Sequence, residues 1–134
     1  MGLSDEERGS IVAYRLQKAK ETFAEIAVLI ENKLWRNAAN RLYYTCFYAA
    51  SALLTKDSYQ AHTHQGVKNV LSLKYIKEGK LDKSLIKTYG TLFNMRQRGD
   101  YEDWAIIEEE DIKPLIEPAG MFIAAIEKII SDHS

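Results

Sequence analysis

Residues 34–54 read LWRNAANRLYYTCFYAASALL. The stretch has no glycine, proline or acidic residue, and Ala38, Ala39, Leu42, Tyr43, Cys46, Phe47, Ala49, Ala50, Leu53 and Leu54 recur at helical spacing over a broad apolar arc. An arc that wide predicts a central, mostly buried helix with other helices around it. Its small residues let neighbouring helices come close. The remaining face carries Asn37, Arg41, Tyr44, Tyr48 and Ser51 at intervals of 4, 3, 4 and 3, polar and aromatic together.

Upstream, Ser4 followed by Asp5, Glu6 and Glu7 is a capping box with acids where the helix dipole favours them. Val12, Leu16, Ala19, Phe23, Ile26 and Ile30 then form a helical seam that ends near Asn32, with Lys33 as a terminal cation. Gly9 is expected to loosen the first turn. Downstream, residues 55–64 read as a loop. A shorter helix is predicted from Gln65 to Ile76, ended at Glu78, Gly79 and Lys80. Leu81, Leu85, Thr88, Leu92 and Met95 mark another helix over 81–98, with Gly99 as its stop. Residues 100–110 are acidic and aperiodic, a connection with a turn at Trp104. The last helix is predicted over 111–131, where Pro118 should kink it or delay its start. No stretch alternates with a period of two. The expected architecture is all-α, an antiparallel bundle of four longer helices plus a shorter one.

The 134 residues, 46% hydrophobic and 28% charged, suit one domain spanning 1–134 and exclude disorder and collagen-like repeats. Cys46 is the single cysteine, so no intramolecular disulfide and no cysteine-cluster zinc site forms; it reads as a buried small residue. No apolar run approaches the roughly 20 residues that span a bilayer. The acidic start lacks the basic and then apolar pattern of a secretory signal. A soluble, cytoplasmic protein without membrane partners is expected. Net charge is −1 but unevenly spread: −1 over residues 1–33, +8 over 34–98 and −8 over 99–134. The basic middle suits phosphates, unless the acidic third neutralises it within the fold.

Two constellations carry candidate chemistry. Arg41, with Tyr44, sits in a helix that supplies no acid, so a partner must come from another helix, a neighbouring subunit or a bound phosphate. An ion pair with Asp100 or Glu102 is the structural expectation. At the other place, Arg96, Gln97, Arg98, Gly99, Asp100 and Tyr101 crowd guanidinium, carboxylate and phenol groups into one helix end. Guanidinium forks fit phosphate oxygens and an aromatic ring stacks on a base, so the cluster suits a phosphodiester. Arg98 is equally explained as compensation of the helix dipole. His62, His64 and His133 lack metal-ligand spacing, so no metal is expected, although His64 is placed to cap the helix that follows. Trp35 and Trp104 read as packing residues. Walker A, GxGxxG, HExxH and GxSxG motifs are absent, and no cofactor is expected.

Asn40-Arg41-Leu42-Tyr43-Tyr44, followed by Phe47, Tyr48, Ala49 and Ala50, resembles the signature of the HEPN (higher eukaryotes and prokaryotes nucleotide-binding) domain family, in its small stand-alone prokaryotic branch. His64 before Gly66, the Gly79-Lys80-Leu81 corner, and Arg96, Asp100 and Tyr101 closing the fourth helix are similar too. The resemblance covers nearly the whole chain. It implies a helical bundle that forms homodimers around a cleft and binds RNA or a nucleotide. It also implies a toxin–antitoxin type pairing with a minimal nucleotidyltransferase. Arg41, Tyr44, Arg96, Arg98, Asp100 and Tyr101 are the candidate binding residues. Tyr101 is also the candidate acceptor if that partner transfers adenylate.

Many relatives are metal-independent RNases that place a His four to six residues after an Arg. Here positions 101 and 102 are Tyr and Glu, positions 103 and 104 are Asp and Trp, and no His falls between Arg96 and His133. Histidine serves such cleavage because it titrates near neutrality. Binding without cleavage is therefore the leading expectation. Two alternatives remain: an RNase whose acid or base is Asp100, Tyr101 or a His64 delivered by folding, with Arg96 on the phosphorane, and a purely structural interaction module with an Arg41–Asp100 salt bridge.

Overall fold

Ser4 opens the first helix as its sequence requires: the Glu7 N–H donates to Ser4 Oγ at 3.1 Å, and the Ser4 N–H donates to Glu7 Oε1 at 2.9 Å. In the computed structural model, which describes residues 2–102, 104 and 106–132, helix α1 then runs Asp5–Glu31 without a break at Gly9. It is followed by α2 (Trp35–Lys56), α3 (His64–Leu71), a π-helical segment (Ser72–Ile76), α4 (Ser84–Tyr101) and α5 (Glu109–Asp132). His133 lies outside the described residues. Among the described residues there is no strand, and the chain is an all-α bundle.

Helix α2 is the centre. Ala38, Ala39, Leu42, Cys46, Ala49, Ala50 and Leu53 have no accessible surface, and α1, α4 and α5 all pack on α2. Alanine at so many contact positions removes side-chain bulk, so three helices approach one axis closely. Neighbours run antiparallel. Arg15 of α1 meets Ser51 and Thr55 near the end of α2, and Tyr43 and Asn40 of α2 meet Tyr89 and Asp100 of α4. Lys20 of α1 pairs with Glu127 of α5, and Gly120 lies where a Cβ would come 3.2 Å from the Phe23 ring.

Three helix ends share one closure, in which the amide of a residue of positive φ and the amide after it reach back to the last turn. After α1, Lys33 (φ 58°) and Leu34 donate to Ile30 and Leu29 carbonyls; after α2, Ser58 (φ 65°) and Tyr59 donate to those of Thr55 and Leu54. Only the third, after the π-helical segment, uses glycine: Gly79 (φ 76°) and Lys80 donate to Ile76 and Tyr75. A lysine in this left-handed region is strained by its Cβ. Lys33→Gly is therefore expected to stabilise the fold by about 1 kcal/mol, a rise of a few degrees in Tm by differential scanning fluorimetry; a lower Tm would contradict this account.

Several expected boundaries move, each for a tertiary reason. Gly99 does not stop α4. The helix continues to Tyr101, and the glycine leaves room for the Ile107 side chain, whose Cδ1 would lie 3.0 Å from a Cβ there. Helix α4 begins at Ser84 rather than Leu81, because Asp82 Oδ1 accepts the Ser84 N–H at 2.8 Å. The predicted helix 65–76 is a short α-helix continued by wider π turns, with Lys77 N–H donating to the Ser72 carbonyl. Pro118 does not delay α5, which starts at Glu109 and runs through both prolines, anchored by buried Ile112, Ala119, Phe122, Ile123 and Ile126. Trp35 packs against the core as expected, but Trp104 does not: it is 81% exposed in the turn before Ile107, which is the buried anchor of that connection.

Candidate functional site

Continuing α4 past Gly99 keeps Asp100 one turn beyond Arg96, and the two side chains pair, with Arg96 Nε 3.2 Å from Asp100 Oδ2. That nitrogen is buried and off the axis of a proper hydrogen bond, and the guanidinium's one hydrogen bond is a long one to Gln97 Oε1, 3.3 Å. Among the described residues, most of its five donors thus have no acceptor. Tyrosines surround it: its central carbon lies 5.2 Å from the Tyr44 ring centre, 5.7 Å from Tyr43 and 5.8 Å from Tyr101. Cation–π attraction to three rings fixes its position without consuming its N–H groups.

Arg41 joins this group through an amide, not through a charge. Its Nε and Nη2 donate to Asn40 Oδ1 (3.1 and 2.8 Å), and Asn40 Nδ2 donates to Asp100 Oδ2 at 3.1 Å. The expected Arg41–Asp100 or Arg41–Glu102 ion pair is not made, because Arg96 takes Asp100 and Arg98 takes Glu102 (3.8 Å), each across one turn of α4. Arg41 lies half-buried with its guanidinium 5.3 Å from the Tyr44 ring. Beside it a cleft of about 430 Å³ is lined by Arg36, Asn37, Asn40, Arg41 and Asp100, with Glu25 and Leu29 on the α1 side.

The structure thus brings Arg41, Tyr44, Arg96, Asp100 and Tyr101 together and leaves Arg98 outside, exposed against Glu102. Two further residues had no periodic signal in the sequence. Asn40 bridges Arg41 to Asp100, and Arg36 Nη1 donates to the Gly99 carbonyl at 2.7 Å, satisfying the end of α4 that carries the cluster. Both sit on the face of α2 turned to α4, which only the packing reveals.

An imidazole also reaches the cluster. His64 does not cap α3; Thr63 does, accepting the Gly66 N–H at 3.0 Å. The His64 ring instead stacks on Phe93 (centroids 3.8 Å) and Tyr89 (4.7 Å), with Nδ1 3.2 Å from the Tyr43 hydroxyl. Tyr43 in turn is 3.4 Å from the Tyr89 hydroxyl, and its ring lies under Arg96. Burial, and secondarily the Lys68 ammonium, hold His64 below its ordinary value of 6.5. Burial likewise raises the Tyr43 phenol.

Below about pH 6.5 the unfolded chain takes a proton on His64 that the native site resists, so this contribution to stability is present above that pH and lost as pH falls through the depressed native value. His64→Phe is expected to flatten the Tm-against-pH curve between about pH 7 and 5 relative to wild type. Parallel curves for the two proteins would show that His64 is not held neutral.

The ion pairs bear on the basic middle of the chain. Among the described residues, only Arg96–Asp100 and Arg98–Glu102 link it to the acidic third, both within α4. Lys68, Lys77, Lys83 and Lys87 have no carboxylate in ion-pair reach there. Among these residues, no three His, Cys, Asp or Glu side chains gather to hold a metal, and no helix is long and apolar enough to cross a membrane.

The family model described as HEPN domain matches residues 12–129. The chain belongs to the HEPN domain family. A Thermotoga maritima protein named UPF0332 protein is 36% identical over 94% of this chain and 96% of its own length. Two Methanocaldococcus jannaschii proteins, each named "putative toxin", are 31% identical over 87% of both chains and 26% identical over 86% of this chain and 78% of the other. In this HEPN domain the end of α4 carries Arg96, Asp100 and Tyr101, and the imidazole beside them comes from α3.

Proposed function

We propose that this HEPN domain binds RNA or a nucleotide through Arg96, with Arg41, Tyr44, Asp100 and Tyr101 around it, and works as a homodimer beside a minimal nucleotidyltransferase in a toxin–antitoxin type pair. The observation that carries the reading is the Arg96 guanidinium, positioned by three tyrosine rings and one carboxylate while most of its donors stay uncommitted. Such a fork meets a phosphate in two parallel hydrogen bonds, and the exposed Tyr101 ring offers a stacking face for a base. Lys68 on α3, Lys77 after the π-helical segment, and Lys83 and Lys87 around the start of α4, which pair with no carboxylate among the described residues, add sequence-independent attraction for a phosphate backbone. Tyr101, Trp104 and Ile106 are 69, 81 and 70% exposed, an apolar run next to the cluster that a second copy of the chain would cover. The names carried by the M. jannaschii relatives agree with a toxin role.

A second reading rests on His64. Its ring touches the Tyr43 ring that lies under Arg96 (5.9 Å), and its depressed pKa keeps it neutral near pH 7, as a general base requires. One assay decides between the two: labelled structured RNA incubated with the protein in EDTA, scored for retention and for cleavage. Retention alone is the expected result. Cleavage that His64→Gln abolishes would establish an RNase with an imidazole from α3, and neither retention nor cleavage would remove both readings.

A further inference from the structure

At the other end of α2, well away from Arg96, the start of α1 and the loop after α2 enclose a second pocket. Arg41 and Thr55 are fourteen residues apart on that helix, or about 21 Å at 1.5 Å per residue. The pocket holds about 390 Å³ and is lined by Arg8, Arg15, Ile11, Thr55, Ser58 and Tyr59, among others; none of its lining residues is acidic.

Arg15 is its core. The side chain is half-buried, and Nη1 donates to Ser51 Oγ at 2.9 Å and to Thr55 Oγ1 at 2.7 Å. Thr55 Oγ1 is itself fixed by donating to the Ser51 carbonyl, so the guanidinium is held by one nitrogen with Nε and Nη2 left over. Among the described residues no carboxylate lies within ion-pair reach of it. A half-buried guanidinium with only hydroxyl partners lacks the counter-charge that normally offsets its desolvation.

The nearby acids are already engaged. Asp57 pairs with Lys56 at 3.6 Å and accepts the Tyr75 hydroxyl, and Glu7 is folded back on Ser4. Arg8 brings a second guanidinium whose one carboxylate, Asp5, is fully exposed and so binds it weakly. Tyr59 forms the apolar wall, its ring fixed edge-on to Tyr75 (centroids 6.3 Å) with the Lys74 ammonium 5.9 Å away.

We infer that this pocket binds a small phosphate monoester with an apolar or aromatic body, the phosphate on Arg15 and Arg8 and the body against Tyr59 and Ile11. Two guanidinium forks match the oxygens of a dianionic phosphate, and the size falls within the range of small-ligand sites. The site is independent of Arg96 and of the function proposed above.

The test titrates phenyl phosphate, inorganic phosphate and phenol into the full-length protein, following the arginine Nε–H resonances by NMR. Phenyl phosphate should saturate and shift Arg15, and bind several-fold tighter than either fragment. Arg15→Gln should weaken it about tenfold or more, Arg8→Gln less, and Arg96→Ala not at all. No saturation by about 10 mM phenyl phosphate would overturn the proposal. So would binding that survives Arg15→Gln but is lost in Arg96→Ala. If Arg15→Gln does not fold, Arg8→Gln decides, since Arg8 is held only near the start of α1, by Asp5 and the Leu3 carbonyl, and unchanged affinity in that variant counts against the site.

Discussion

Arg96→Ala is expected to lower RNA affinity at least tenfold and to make its salt dependence shallower, by about 0.7 to 0.9 in the slope of log K against log salt. The size follows from what the guanidinium is: a planar fork already oriented by Tyr43, Tyr44 and Tyr101, so little ordering is left to be done when a phosphate arrives. Arg96→Lys should fail to restore affinity, because an ammonium can neither make the parallel pair of hydrogen bonds nor stack on three rings. Asp100 keeps the Asn40 amide as a partner when Arg96 is removed, and Tm separates any loss of fold from a loss of binding. Filter retention across a salt series, with Tm for each variant, gives both readouts. Equal retention by wild type and Arg96→Ala would place the binding surface elsewhere.

Tyr89→Ala is expected to have the largest effect on stability, a loss of about 3 to 5 kcal/mol. Tyr89 has no exposed surface and lies between three other rings, with Tyr43 at 5.6 Å, His64 at 4.7 Å and Phe122 at 5.8 Å. The void could not close easily, because α2 and α5 on either side already pack against each other. Against a total of roughly 5 to 15 kcal/mol for a domain of this size, much of the native population would be lost on warming. Tyr89→Phe separates the ring from its hydroxyl. It removes only the 3.4 Å contact to Tyr43 and should cost about 1 kcal/mol. Urea titrations followed by circular dichroism measure both. A loss below about 1 kcal/mol in Tyr89→Ala would mean that the ring ladder under the site is not part of the stabilising core.

The two expectations are connected. The ladder Phe122–Tyr89–Tyr43 runs from α5 through α4 to α2, and its last ring lies against Arg96. A candidate binding group is thereby mounted on the most buried layer of the bundle. A rigid mount lets a guanidinium keep its place without a tight salt bridge.

What the sequence determined by itself is what short-range physics controls. The capping box at Ser4, the seam from Val12 to Ile30, the burial of Cys46 and the central position of 34–54 all follow from residues within a few turns of one another. Helical periodicity and caps are local signals, so they survive without knowledge of the partner. The grouping of Arg96, Asp100 and Tyr101 was legible for the same reason, since all three lie within six consecutive residues. Only the tertiary structure decided the rest. Gly99 carries a stop signal, yet it sits inside α4, where the Ile107 side chain packs close against it. Arg41 has no acid on its own helix. Its link to Asp100 runs through Asn40 because an acid one turn away on α4 reaches Arg96 first. His64 lies 21 residues from Tyr43 and 29 from Phe93, separations with no helical meaning, and the fold of α3 against α4 brings the three rings together. Contacts between elements depend on where whole helices lie relative to one another, and no single window of sequence holds that information.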